Sequence, residues 1–138
     1  MFRIGIIGAG WIAEKMCDAI APFTDMEIYA IASRTTEKAE AFAAEHNIGK
    51  AYGSYEEMVC DPDIDLVYIA TPHSHHYDHA MLALEHGKPV LVEKAFTANA
   101  MQAEKLIETA RSKGLFITEA IWTRYMPLSH KIKEIMES

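Results

Sequence analysis

The stretch FRIGIIGAGWIA, Phe2 to Ala13, crowds Gly5, Gly8 and Gly10 into six positions around the first apolar run. Glycine is a poor strand and helix former, so something at this place needs backbone rather than side chain. The run Phe2–Ile7 predicts a short buried strand, and the residues from Trp11 to Ile20 a helix that stops before Pro22. Between them, Gly8-Ala9-Gly10-Trp11-Ile12-Ala13 fits G-x-G-x-x-G/A directly after a strand and at the opening of a helix. In that setting the pattern predicts a dinucleotide-binding turn. Gly8 permits the tight turn, Gly10 lets a diphosphate approach the backbone, and Ala13 is small enough for close helix–strand packing. The free amides at the helix start, at Trp11 and Ile12, then face the phosphates.

Working outward, apolar runs alternate with helical segments. Strands are expected at Met26–Ala32, Lys50–Tyr52, Leu66–Ala70, Val90–Val92 and Leu115–Thr118. Helices are expected after Thr35 or Thr36, after Ser54 with Glu57 placed for a capping box, over Ser74–His86, and from Asn99 to Lys113. The tail from Met126 reads as a helix with Ile132, Ile135 and Met136 on one face. Strands that are apolar throughout and separated by helices predict an α/β fold. It is a Rossmann-type doubly wound parallel sheet with helices on both faces and strand order 3-2-1-4-5-6.

The second strand ends Ile31-Ala32-Ser33-Arg34, with no acid to hold a ribose 2′-hydroxyl. Arg34 suits a 2′-phosphate and can stack on adenine; Ser33 can donate to it and Lys38 adds charge. NADP is therefore expected over NAD. Residues 71–80 read TPHSHHYDHA. His75 and His79 have a spacing zinc can use, but no cysteine completes a set, and no metal is expected. Thr71, Pro72, His73 and His76 follow the fourth strand, where ligands bind in such sheets, and are expected to line the cofactor cleft. Glu93 and Lys94 close the fifth strand. A lysine there can bond a substrate oxygen or take part in proton transfer. Beyond the sixth strand, Trp122 and Arg124 are candidate walls of a polar substrate site.

Bulk properties narrow the classes. The chain has 138 residues, half of them apolar, and a formal net charge of -7. One domain with a sizeable core fits that length. The acidic balance argues against a nucleic-acid surface, and no apolar stretch approaches a membrane span. With no basic n-region or cleavage site at the N-terminus, a cytoplasmic protein is expected. Cys17 and Cys60 make neither a disulfide framework nor a metal motif.

GAGWIA, ATPHSHH, ALEHGKPVLVEKA and TEAIWTRYMP together resemble the N-terminal half of the Gfo/Idh/MocA oxidoreductases, over essentially the whole chain. TEAIWTRYMP and the His73/His76 pair are similar to the dihydrodiol dehydrogenase branch. The resemblance implies a pyridine-nucleotide enzyme acting on carbinol carbons of sugars, inositols or diols. It implies Lys94 as the catalytic lysine near the nicotinamide, with Glu93 in the motif's acid position. Two departures stand out: Ala95 where the family usually has proline, and His73 where many members have asparagine. Residues 1–120 are then the dinucleotide-binding domain and 121–138 the start of a connection to a C-terminal substrate domain that this chain does not encode. The resemblance also implies that the whole protein forms homo-oligomers. A non-catalytic dinucleotide-sensing module would share the glycine turn and would not need Lys94.

Overall fold

β1 (Phe2–Ile7) lies at the centre of the sheet, and its pleat decides which side each residue serves. Ile4 and Ile6 pack into one apolar cluster, while Ile7 packs into the other. Gly5 faces that second side, where a Cβ would come within 2.9 Å of Ile64. It is a packing glycine that lets the 58–64 segment close on the strand. The computed structural model describes all residues from Met1 to Ser138.

Five further strands flank β1: β2 (Met26–Ala32), β3 (Lys50–Tyr52), β4 (Leu66–Ile69), β5 (Val90–Val92) and β6 (Ile117–Glu119). They form one parallel sheet in the order β3-β2-β1-β4-β5-β6, as expected. The register slips between Ile4 and Gly5, so β2 carries one extra residue there. Tyr29 and Ala30 consequently both serve the Ile7 side, while Ile28 and Ile31 serve the Ile6 side. Such a bulge keeps the apolar alternation in phase on both halves of the strand.

α1 (Trp11–Ile20) and α2 (Thr36–His46) cover the Ile6 face. α3 (Tyr55–Val59), α4 (His76–Glu85) and α5 (Ala100–Lys113) cover the other. Three caps follow the sequence reading: Thr35 accepts from Lys38 N–H, Ser54 from Glu57 N–H and Asn99 from Gln102 N–H. The capping box is not completed by Glu57. The Ser54 hydroxyl donates to Glu56 instead, at 2.9 Å. Ile6, Ile7, Ile31, Met58, Ile69, Leu84 and Leu106 are fully buried. Each such side chain stabilises the fold by roughly 1.5–3 kcal/mol relative to exposure.

Two elements start two residues later than expected, and other ends shift by a single residue. The helix expected from Ser74 begins as a 3-10 turn over His73–His75, and α4 proper starts at His76. β6 starts two residues late, because Leu115 N–H is spent on the Ala110 carbonyl, closing the end of α5. A third feature concerns the tail. α6 (Pro127–Glu137) forms, but Leu128, Ile132, Ile135 and Met136 are all exposed. On the α1 side, Tyr68, Leu91 and Thr118 of β4–β6 likewise line an open apolar groove with Ile12 and Met16. No helix is long and apolar enough to cross a membrane.

Candidate functional site

The winding of the sheet reverses between β1 and β4, and the carboxyl ends of these strands part there to leave a crevice. The glycine turn forms its floor. Gly8 has φ +105°, and a Cβ there would lie 2.9 Å from the Ala70 carbonyl oxygen and from Thr71 Cγ2. Both the backbone conformation and the closeness of β4 therefore require glycine. Gly10 is different: its backbone is extended, and a Cβ would meet nothing within 4 Å. The protein leaves that space open. Ala13 is fully buried beneath the turn. The first helical donors, Ala13 and Glu14, both bond the Gly10 carbonyl, which leaves the Trp11 and Ile12 amides without a backbone acceptor.

The larger part of the crevice, about 480 Å³, runs from this turn to the ends of β2 and β4. Gly8, Gly10, Trp11, Ile12, Ser33, Arg34, Lys38, Thr71 and Pro72 all line it. Tyr55, His75 and His79 line it as well. None of its lining residues is acidic, although the chain as a whole carries -7. Arg34 and Lys38 thus make an electropositive end with amide donors at its base, a setting that suits an anionic ligand.

Trp11, Ile12 and Thr71 also border an adjoining cavity lined by His73, His76, Glu93, Lys94 and Trp122. Arg124 lines neither cavity. It lies exposed in the 3-10 turn Trp122–Tyr125, because that turn directs only the start of the segment back to the crevice.

Lys94 is exposed on a loop whose backbone is held at three successive residues. Glu93 Oε2 accepts the Lys94 N–H at 3.1 Å. His76 Nδ1 lies 2.7 Å from the Ala95 carbonyl oxygen. Glu119 Oε1 accepts the Phe96 N–H at 2.8 Å. The loop is therefore anchored although Ala95 lacks proline's fixed φ. His76 does more than line the cleft. It is fully buried, and its Nε2 sits 2.8 Å from the Thr71 carbonyl oxygen, so the ring ties the end of β4 to the Lys94 loop.

Glu93 is itself held from below by the buried Tyr68, whose hydroxyl donates to Oε1 at 2.5 Å. Burial, then this hydrogen bond, pushes the Tyr68 pKa far above the ordinary tyrosine value. Sequence reading missed Tyr68, Tyr55 and the outcome for His75 and His79. The alternation of β4 was the one available signal for Tyr68: it marks this position as facing the same side as Leu66. His79 Nδ1 lies 2.9 Å from Thr71 Oγ1, and no group of three or more His, Cys, Asp or Glu side chains could hold a metal ion. Cys17 and Cys60 are free thiols, and burial, then Asp18, pushes the Cys17 pKa up to about 11.

A glycine turn at the switch point, open amides above it and a cationic end at β2 define a dinucleotide-binding Rossmann domain. The chain belongs to the Gfo/Idh/MocA oxidoreductases: the family model for the oxidoreductase family with NAD-binding Rossmann fold matches residues 2–120. It is 52% identical over 144 residues to a D-xylose 1-dehydrogenase (NADP(+)) of Hypocrea jecorina, covering 96% of this chain and 37% of that protein. It is 43% identical over 134 residues to a trans-1,2-dihydrobenzene-1,2-diol dehydrogenase of Xenopus tropicalis, covering 96% and 41%. Among solved structures, an NAD-binding oxidoreductase from Klebsiella pneumoniae superposes with TM-score 0.92 at 33% identity, covering 99% of this chain and 38% of that one. A 3-ketoreductase from Actinomadura kijaniata in complex with NADP gives 0.90 at 31%, covering 99% and 44%. The chain thus spans about two fifths of the length of these relatives.

Proposed function

We propose that this chain is the cofactor-binding part of an NADP-dependent oxidoreductase acting on a carbinol or carbonyl carbon of a sugar or diol-like small molecule. The observation that carries the reading is the pairing of two cavities across Trp11, Ile12 and Thr71: one acid-free and cationic, the other holding Lys94. The dinucleotide fits the first by the room at Gly10 and the open amides beside it. Gly8, Gly10, Trp11 and Ile12 hold its diphosphate. Ser33, Arg34 and Lys38 hold its adenosine end, with the 2′-phosphate against Arg34. Thr71, Pro72, His73 and His76 border its path toward the nicotinamide.

When bound, the cofactor supplies hydride exchange at the nicotinamide. The chain's own part is placement and polarisation. Lys94 presents ammonium donors to the reacting oxygen and aids proton movement there. Glu93 orients Lys94 through its backbone amide, and Trp122 walls the substrate side. Arg124, outside both cavities, contributes only if further chain folds the Trp122–Tyr125 turn inward. Residues 1–120 form the binding domain, and 121–138 begin the connection to a substrate-binding part, in keeping with relatives more than twice as long. We place the protein in the cytoplasm, as a homo-oligomer in its longer form. The named activities of the xylose and dihydrodiol dehydrogenases suggest a pentose or a cyclic diol as first substrates to try.

Fluorescence titration tests the reading: NADPH should bind the chain with saturable quenching of the tryptophan emission, since Trp11 borders both cavities. In the longer enzyme, Lys94→Ala should cut turnover of a pentose or diol by orders of magnitude while NADPH binding persists. Near-normal turnover would remove Lys94 from the chemistry and favour the dinucleotide-sensing alternative.

A further inference from the structure

The residues after β4 divide between the two cavities in alternation. His73 borders the Lys94 cavity, and His75, two positions on along the same 3-10 turn, borders the cavity that Arg34 also lines. His75 is exposed and stacks on His79, with ring centroids 5.5 Å apart and planes inclined by 21°. His79 is fixed behind it. Its Nδ1 meets Thr71 Oγ1 at 2.9 Å, and it packs edge-on with Tyr55, centroids 4.7 Å apart. Burial, then the neighbouring His75, holds the His79 pKa below the ordinary histidine value, which favours a neutral ring in the stack. The result is a rigid aromatic wall in the same crevice as Arg34, built from α3 and the start of α4.

We infer that His75, backed by His79 and Tyr55, is the platform on which the purine ring of the cofactor stacks, opposite the Arg34 guanidinium. The inference rests on the dinucleotide reading above and adds to it a specific contact. A planar base between a guanidinium and an imidazole face meets π-surface on both sides, and ring stacking needs no particular hydrogen-bond pattern. The diphosphate is held at Gly10 and the nicotinamide lies toward Lys94, so the base is the one flat group left for this end. Without His79 behind it, an exposed His75 would rotate freely; the Thr71 bond and the Tyr55 edge remove that freedom before the ligand arrives.

The test is a titration of the chain with NADPH and, by displacement, with 2′,5′-ADP, which carries the adenosine end alone. His75→Ala should weaken both ligands by the same factor, about tenfold or more. His75→Phe should restore most of the affinity for both, because it keeps the ring and loses only the nitrogens. The proposal is overturned if His75→Ala binds both ligands like the parent chain, if it weakens NADPH but not 2′,5′-ADP, or if Phe is as poor as Ala. Should the parent chain bind NADPH while these variants do not differ from it, the platform alone fails. Should the parent chain bind neither ligand, the dinucleotide reading and the platform fall together.

Discussion

The Tyr68 hydroxyl donates to one oxygen of Glu93 at 2.5 Å, while the other oxygen accepts the Lys94 N–H at 3.1 Å. A buried phenol on β4 is thus linked through one carboxylate to the backbone of the residue assigned to the chemistry. Tyr68→Phe keeps the ring and leaves Glu93 short of one donor. The loss should destabilise the fold by about 1–2 kcal/mol, the cost of an unmade buried hydrogen bond. Thermal melting at pH 7 reads it as a fall of roughly 3–8 °C. An unchanged melting temperature would show that the phenol and the carboxylate are not coupled in solution.

Gly8 and Gly10 serve different masters, and alanine separates them. Gly8→Ala forces a Cβ against the Ala70 carbonyl at φ +105° and should destabilise the chain by about 1–3 kcal/mol. Gly10→Ala meets no atom of the protein and should cost at most about 1 kcal/mol, the usual preference at an N-cap. Its effect should fall on NADPH affinity, since the new methyl enters the open space in which we propose the diphosphate sits. Denaturant midpoints and NADPH titration, run on both variants, check the pair. Equal destabilisation by the two would contradict the distinction.

That contrast also shows what a sequence discloses and what it hides. β1, the glycine turn and the strand order were legible because each is a local pattern: an apolar run, a motif in its strand-to-helix setting, and a βα alternation with one permitted handedness. The need for glycine at position 8 was legible as well, although its cause is partly long-range, in the approach of Ala70. The Tyr68–Glu93 bond joins residues 25 positions apart, and the His76–Ala95 contact joins residues 19 apart. No periodicity encodes such pairs. His75 and His79 read as a possible zinc spacing, whereas the fold gives Nδ1 of His79 to Thr71. Arg124 lay near the end of β6 in sequence, but a single 3-10 turn was enough to carry it out of the crevice. The apolar stripe of α6 was visible, but a stripe does not name its partner.

At the opposite edge of the sheet, Asp61 accepts from Lys50 Nζ at 2.8 Å, the Tyr52 hydroxyl at 2.6 Å and the Asp63 N–H at 2.9 Å. Burial acts to raise its pKa, but these donors outweigh it and hold the carboxyl down at about 2. A depressed folded-state pKa contributes stability that is present above the unfolded value near 3.9 and lost as pH falls through about 2. The contribution is on the order of 1–2 kcal/mol. Urea unfolding from pH 6 to pH 2 should therefore show a decline below about pH 4 that Asp61→Asn flattens, because the amide has no proton to gain. A parallel decline in both proteins would assign the acid sensitivity to other carboxylates.

Arg34 closes β2 with an exposed guanidinium that makes no ion pair within the chain, beside the buried Ser33. Nothing in the fold needs that charge, so its replacement should be read in the ligand and not in stability. A charge-assisted bond to phosphate contributes about 1.5–3 kcal/mol, which corresponds to roughly 10- to 100-fold in affinity. Arg34→Asp should accordingly weaken NADPH by at least that range, since it removes attraction and adds repulsion. NADH should be weakened far less, because it loses only the stacking face of the guanidinium and the new carboxylate can accept from its free 2′-hydroxyl. Paired fluorescence titrations give the ratio directly. A loss of equal size for both cofactors would mean that Arg34 supports the adenosine pocket without sensing the 2′ position, and the assignment of NADP would then have to rest on Lys38.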